Sequence, residues 1–396
     1  MGLIDLWRTS RDQLKGKHVQ QIIAFAGTGQ LSDGSNTSSE FREFLRHIPS
    51  DILEEYANQC LQDSFNGSGF ALQDIVNEVG RRLGFDVVPG RYRGTAGEVG
   101  FDGVWQFPNG HAAVIEVKTS DAYRIELDKI AGYRRELVRR GKINEAASSI
   151  LIIVGNRATQ DLEAQIRGSR YAWDMRLLSV EALLRLMHLK ETIEDPQIVQ
   201  KIHSILIPRE FTRLDEIVDL VFSTTEEVKE QGPQDEEGSG EESKPSSMPK
   251  AFHEACVARV EKHLDVTLLR QSRTGYISPD DTVAITCAVS KEYKSGGRTS
   301  YWFAFHPYQK EFLEKAIKAY VVLGCGSEET VLLFPFDEFA KWLHKFWTTE
   351  KNGRFYWHVR IHTEGGKILL DRRGKKGRLD VTHYLLTSPE QTRGAV

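Results

Sequence analysis

Cysteine is scarce in this chain of 396 residues. The four present, Cys60, Cys256, Cys287 and Cys325, lie far apart and none forms a CxxC pair, so zinc-finger and thioredoxin-like motifs are absent. Four reduced, mostly buried thiols are expected. Long apolar runs are missing too. The nearest candidate, Ser149 to Val154, falls far short of the ~20 apolar residues a membrane helix needs. The opening stretch, MGLIDLWRTSRDQLK, has no continuous apolar segment of the kind a secretory signal carries. The expectation is a cytoplasmic protein with no membrane partner. Gly94 to Gly97 reads GTAG with no Lys-Ser or Lys-Thr behind it, which excludes a Walker phosphate loop. No internal repeat is present.

The composition is otherwise that of globular protein, 40% hydrophobic and 27% charged, with length enough for two or three domains. A formal charge of -4 hides a contrast along the chain. Residues 251–396 carry 22 Lys and Arg against 17 Asp and Glu, whereas 223–250 carries 3 against 8. The latter, STTEEVKEQGPQDEEGSGEESKPSSMPK, has almost no large apolar residue and cannot repay its ordering entropy by burial. It is read as a flexible acidic linker. A basic domain beyond it is compatible with nucleic-acid binding.

Four regions follow: a helical N-terminal region at 1–65, an α/β domain at 66–222, the linker at 223–250 and an α+β domain at 251–396. Within the second, Leu72, Ile75, Val76, Val79 and Leu83 recur at helical spacing and predict an amphipathic helix from Phe70, stopped by Gly84. A strand is expected at Phe85 to Pro89. Two more, Phe101 to Phe107 and His111 to Lys118, flank Pro108-Asn109-Gly110, a strong hairpin signal. A helix over Arg124 to Arg140, a doubly covered strand at Ser149 to Val154, and a further helix, strand and helix complete a mixed-sheet α/β pattern. In the last domain, strands are expected at 283–290, 300–305, 319–324, 330–335, 356–361 and 367–370. Helices are expected at 252–264, 309–318 and 337–346.

The chemistry concentrates in Gly100 to Ser120, GFDGVWQFPNGHAAVIEVKTS. Strand alternation puts Glu116 and Lys118 on one face and turns Ile115 and Val117 to the other. A hairpin folded about Asn109 places Glu116 near Asp102. Two acids and a lysine then converge, as phosphodiester hydrolysis requires. Carboxylate oxygens suit Mg²⁺, which acidifies its water and offsets transition-state charge. A lysine beside it orients or deprotonates the attacking water, or stabilises the phosphorane. Partial burial beside a cation would favour a lowered lysine pKa. Glu-x-Lys strings are common on solvated edge strands, but the flanking AAVIEV is apolar around Glu116, and a carboxylate buried there needs a partner or a metal.

The run FDGVW followed by IEVKTS resembles motifs II and III of the PD-(D/E)xK nuclease superfamily, which includes many restriction endonucleases, over residues of about 70–190. The resemblance implies a restriction-endonuclease-like α/β core and a catalytic set of Asp102, Glu116 and Lys118. Mg²⁺, for which Mn²⁺ can substitute, would be held by Asp102, Glu116 and the backbone carbonyl of Val117. Phe101 stands where the family has proline. Family members also carry a helix glutamate before the sheet, matched by Glu78, which joins the catalytic set by holding a second metal or shaping the site, and a Lys or Gln one turn before a Tyr after the lysine strand, matched by Lys129 and Tyr133 as phosphate contacts. Glu98 is a weaker metal candidate. The implied activity is DNA endonuclease, in restriction or phage defence. Cutting both strands usually takes two sites, which points to a homodimer, and a partner ATPase stays open. The alternatives are a non-catalytic nucleic-acid sensor on a nuclease fold, and a repair or RNA nuclease.

The C-terminal domain mixes rings with bases. Tyr301-Trp302-Phe303, Trp342, Trp347 and Phe355-Tyr356-Trp357-His358 stand out, as does the cluster Arg372, Arg373, Lys375, Lys376 and Arg378. Dense positive charge suits phosphate contact and rings suit base stacking; packing in a core and a solvated turn are the alternatives.

Overall fold

The computed structural model describes residues 2–63, 65–93, 100–119, 125–155, 160–208, 249–295, 298–351, 354–374 and 377–386. The expected linker up to position 248, Glu98 with the GTAG stretch, and the pair Lys375 and Lys376 lie outside these residues. Two compact units result. The first takes residues up to Ile193 and again from Gln197; the second takes Glu194–Pro196 and the C-terminal part from Pro249.

The first unit opens on α1 (Leu3–Thr9), α2 (Arg11–Leu14), α3 (Val19–Phe25), α4 (Asn36–His47) and α5 (Ser50–Gln62). Pro49 holds the residue before it in extended backbone, which ends α4 and starts α5, as the sequence pattern implies. Then come α6 (Ser68–Arg82), β1 (Asp86–Pro89), β2 (Gly103–Gln106), β3 (Ala112–Lys118), α7 (Leu127–Arg139), β4 (Ser148–Val154), α8 (Gln160–Arg167), β5 (Met175–Ser179), α9 (Val180–Thr192) and α10 (Pro196–Ile205). The sheet runs β1-β2-β3-β4-β5, antiparallel across β1, β2 and β3 and parallel across β3, β4 and β5. This is the mixed α/β pattern expected.

Alternation along β3 and β4 builds both faces. Ala113, Ile115, Leu151 and Ile153 pack with α6 and α9, while Val114, Ile150, Ile152 and Val154 pack with α7 and α8. α6 departs from the expected amphipathic helix, for every residue from Ala71 to Gly80 is buried. It is enclosed by α4, α5 and α9 as well as the sheet. The boundary expected at residue 65 is therefore no domain boundary. Trp7, Phe41, Phe44 and Tyr56 share one core with Ile75, Trp105 and Ile115, because α4 and α5 cover the part of α6 that the sheet leaves open.

The second unit contains α11 (Pro249–Leu264), α12 (Pro307–Leu313) and α13 (Phe336–Ala340) with two sheets. One runs β12 (Val331–Pro335), β11 (Lys318–Cys325), β8 (Val283–Ser290), β7 (Gly275–Ile277) and β6 (Leu269–Arg270). The other runs β16 (Arg378–Asp380), β15 (Lys367–Asp371), β14 (Arg354–Glu364), β10 (Arg298–Phe305) and β9 (Tyr293–Ser295), with β13 (Trp347–Lys351) paired to β14. Ala284, Val321, Leu323, Leu332 and Phe334 of the first sheet meet Tyr301, Phe303, Phe305, Val359 and Ile361 of the second. The alternate residues, Ile285, Cys287, Val322 and Leu333, pack under Cys256, Val257 and Val260 of α11. All four cysteines are free and buried. The helix expected over 309–318 is shorter, since Lys318 already pairs with Val283 as a strand residue. Among the described residues, no helix is long and apolar enough to cross a membrane.

Candidate active site

The register of the hairpin fixes the site. Gly103 pairs with Ile115, Val104 with Val114, Trp105 with Ala113 and Gln106 with Ala112, a fold centred on Asn109. One position beyond the last pair, Asp102 stands opposite Glu116. The Asp102 amide donates to the Ile115 carbonyl at 3.0 Å, and its carboxylate accepts from the Val117 amide at 2.7 Å. The side chain thus stands where the next ladder carbonyl of β2 would have been. In a strand, the amide and carbonyl of one residue point to the same side. The Val117 carbonyl therefore lies on this same edge of β3.

Asp102 is held from behind by α6. Its own carbonyl accepts from Asn77 Nδ2 at 2.9 Å, Gln73 Nε2 at 3.1 Å and the Gly90 amide at 2.9 Å. Asn77 Oδ1 in turn accepts from Trp105 Nε1 at 3.1 Å. The fit demands glycine on both strands. A Cβ on Gly90 would lie 1.9 Å from the Phe101 carbonyl oxygen, and one on Gly103 would lie 2.2 Å from Asn77 Oδ1. Gln73 and Asn77 were not singled out from the sequence. The signal available was two amides at i, i+4 within an apolar helix, in line with Gly80, whose Cα faces the Trp105 ring.

Glu116 is 7% exposed. Its Oε1 accepts from Lys118 Nζ at 2.5 Å. Its Oε2 is buried and, among the described residues, has no hydrogen-bond partner. Burial and the adjacent Glu116 push the Asp102 carboxyl up to about 7, against the pull of the Val117 amide and Lys118. Burial works against the Lys118 ammonium, but Glu116 and Asp102 outweigh it and hold its pKa above the ordinary lysine value.

The other candidates divide. Tyr133 is half-buried on α7, its hydroxyl close over the Gly100 backbone, and near enough to Lys118 to raise its pKa further. Lys129 is exposed one turn earlier on the same helix. Glu78 is not brought to the trio. It is buried and paired to Arg81 at 3.4 Å and Arg82 at 3.3 Å. Arg82 goes on to the Leu45 and Ile48 carbonyls and the Ser50 hydroxyl. Its place on an enclosed helix gives Glu78 a structural pairing in place of the expected metal-site role. Its neighbour Asp74 is likewise held, by Arg42 at 2.7 Å and by the Tyr92 hydroxyl. In the second unit, Arg372 and Arg373 lie at a strand end, the Arg373 amide bonded to the Lys345 carbonyl. Arg378 is tied to Glu364 at 2.8 Å and faces Asp371 at 3.7 Å. That part of the basic cluster is partly neutralised by its own acids.

The donor set suits a small, hard divalent cation. Among the described residues no group of three or more His, Cys, Asp or Glu forms a ready-made cage. Mg²⁺ needs none, since it is commonly held by one or two carboxylates and keeps several waters. A buried carboxylate oxygen without a donor, next to a second carboxyl that resists ionisation, is the arrangement a cation relieves. No protein-family model matches the chain, and no curated protein matches it either.

Proposed function

We propose that the first unit is a Mg²⁺-dependent nuclease of the PD-(D/E)xK type that hydrolyses DNA, with a role in restriction or phage defence. The observation that carries this reading is the unpartnered, buried Oε2 of Glu116 beside Asp102 and Lys118. Asp102, Glu116 and the Val117 carbonyl would hold the ion. When bound, it supplies charge neutralisation at the phosphate and a more acidic water.

The residues divide the remaining work. Asp102, its carboxyl pushed up to about 7, would release its remaining proton to solvent when the ion is held. Lys118, cationic and tethered to Glu116 Oε1, orients the attacking water and stabilises charge on the phosphoryl oxygens. The attacking water forms the new bond to phosphorus and loses a proton to solvent, while the bond from phosphorus to one ester oxygen breaks and that oxygen takes up a proton from solvent. Gln73 and Asn77 keep the Asp102 backbone fixed while charge is redistributed. Tyr133 lies beside Lys118, and Lys129, exposed one turn earlier on α7, would reach a phosphate beside the one cut.

Plasmid cleavage with Mg²⁺, compared with EDTA and with Lys118→Ala, tests the reading. Nicking or cutting lost in both controls is the expected result. Equal cutting by Lys118→Ala would remove the assigned site, and no cutting of any DNA or RNA by the wild-type protein would favour the sensor alternative.

A further inference from the structure

The second unit carries a surface that its own packing leaves open. The inner face of the β9–β16 sheet is core, and the described helices of this unit pack against the other sheet or at the core edge. Its outer face presents the alternate residues. Trp302 pairs across the strands with Arg360, Ala304 with His358 and Ser300 with His362. On the far side of β14, Trp347 pairs with His358 and Thr349 with Tyr356.

These side chains form a set built in advance. Trp302 Nε1 donates to His358 Nδ1 at 3.0 Å, and His358 Nε2 meets the Thr349 hydroxyl at 2.6 Å. The Trp302 and Tyr356 rings stand edge to face, centroids 6.2 Å apart. Arg360 lies 5.6 Å over the Trp347 ring and, among the described residues, has no carboxylate partner. Trp347 is 38% and Tyr293 43% exposed. Charge on the face is uneven. At the β15–β16 side Glu364, Asp371 and Asp380 are engaged by Arg378, His362 and Lys367. Between β10 and β13 the exposed Arg360 guanidinium remains over the Trp347 ring.

We propose that this outer face of β10, β13 and β14 binds single-stranded nucleic acid, bases stacking on Trp302, Tyr356 and Trp347 and the phosphates running along Arg360. Trp302, fixed by its hydrogen bond to His358, offers stacking at little entropic cost, and the Arg360 guanidinium, with no carboxylate partner among the described residues, matches an anionic backbone. A duplex hides its base faces and leaves these rings unused. An acidic polypeptide would use Arg360 alone. The surface belongs to the second unit and the Asp102 site to the first, and its test is run without metal.

The test is fluorescence anisotropy of the full-length protein with labelled dT₂₀ in EDTA, where cutting is silent. Tyr356→Ala and Arg360→Ala are each expected to weaken binding about tenfold, as loss of one stacking or phosphate contact does. Lys262→Ala removes an exposed cation from α11, away from this face, and is expected to change little. Circular dichroism melts identify any variant that fails to fold, and Trp302→Phe, which keeps a ring, then serves as the milder probe with a smaller loss. Unchanged affinity in both Tyr356→Ala and Arg360→Ala would overturn the proposal. So would a dT·dA duplex or polyglutamate that binds as tightly as dT₂₀ with the same sensitivity, the first marking a duplex site and the second a general polyanion site.

Discussion

Two pairs of acids in the first unit, three of the four buried and Asp102 half-buried, differ in one respect. Asp74 and Glu78 on α6 are fully engaged: one oxygen of Asp74 faces Arg42 and the other Tyr92, and Glu78 meets Arg81 and Arg82. Asp102 and Glu116, at the mouth of the hairpin, share one lysine and leave Glu116 Oε2 without a donor. Burial alone does not mark a functional carboxylate. A buried acid with a complete set of donors is architecture, whereas one short of a donor is poised for something the chain does not itself provide.

The comparison can be broken most forcefully at the hairpin. Asp102→Asn, Glu116→Gln and Lys118→Ala are each expected to lower Mg²⁺-dependent cleavage by about a hundredfold or more while the fold persists, read by plasmid cutting beside a thermal melt. The reverse pattern is expected on α6. Glu78→Ala leaves Arg82 buried without its carboxylate and should cost about 3 kcal/mol in chemical denaturation, with cleavage per folded molecule retained. Similar stability losses at both places would erase the distinction.

Asn77→Ala probes the link between the two regions. It removes one of three donors to the Asp102 carbonyl and the acceptor of the Trp105 indole. The expected outcome is about 1–3 kcal/mol of lost stability, together with a drop in cleavage of about tenfold, because the acid is then less well placed. A loss of stability without any change in cleavage would show that Gln73 and Gly90 suffice.

The smallest effect concerns pH. The folded-state pKa of Asp102 is raised, so the folded protein binds this proton more tightly than the unfolded chain does. The corresponding stability is complete below the ordinary carboxylate value and is lost as pH rises through it to about 7. Mg²⁺ competes with that proton. Its addition should raise Tm by a few degrees at about pH 8 and by almost nothing at about pH 5, as scanning fluorimetry would read. A shift independent of pH would place the ion elsewhere.

Much of this was legible beforehand, and the physics explains which part. The hairpin about Asn109 announces itself through Pro-Asn-Gly between two alternating strands, and alternation then dictates that Glu116 and Lys118 share a face. β8 was legible to the residue, since Val283–Ser290 is apolar on both sides, as a sheet covered twice must be. The role of Glu78 was not legible. A glutamate on a helix is ordinarily exposed, and only the enclosure of α6 by segments far away in sequence turns it into a buried ion pair. The same holds for the clamp of Gln73 and Asn77, whose target is a backbone oxygen that leaves no trace in composition. The short strands β6, β7, β9, β13 and β16 escaped too, because two to five residues carry too little pattern to be told from a loop.

The enclosure of α6 bears on how this chain can be taken apart. A fragment begun at residue 66 retains every member of the hairpin trio, yet it uncovers Ile75 and Val76 and strips Arg82 of the carbonyls it caps. The helices ahead of the sheet are thus the outer wall of the room in which Asp102 is anchored, and whoever trims them for a smaller catalytic piece should expect the anchor to come loose.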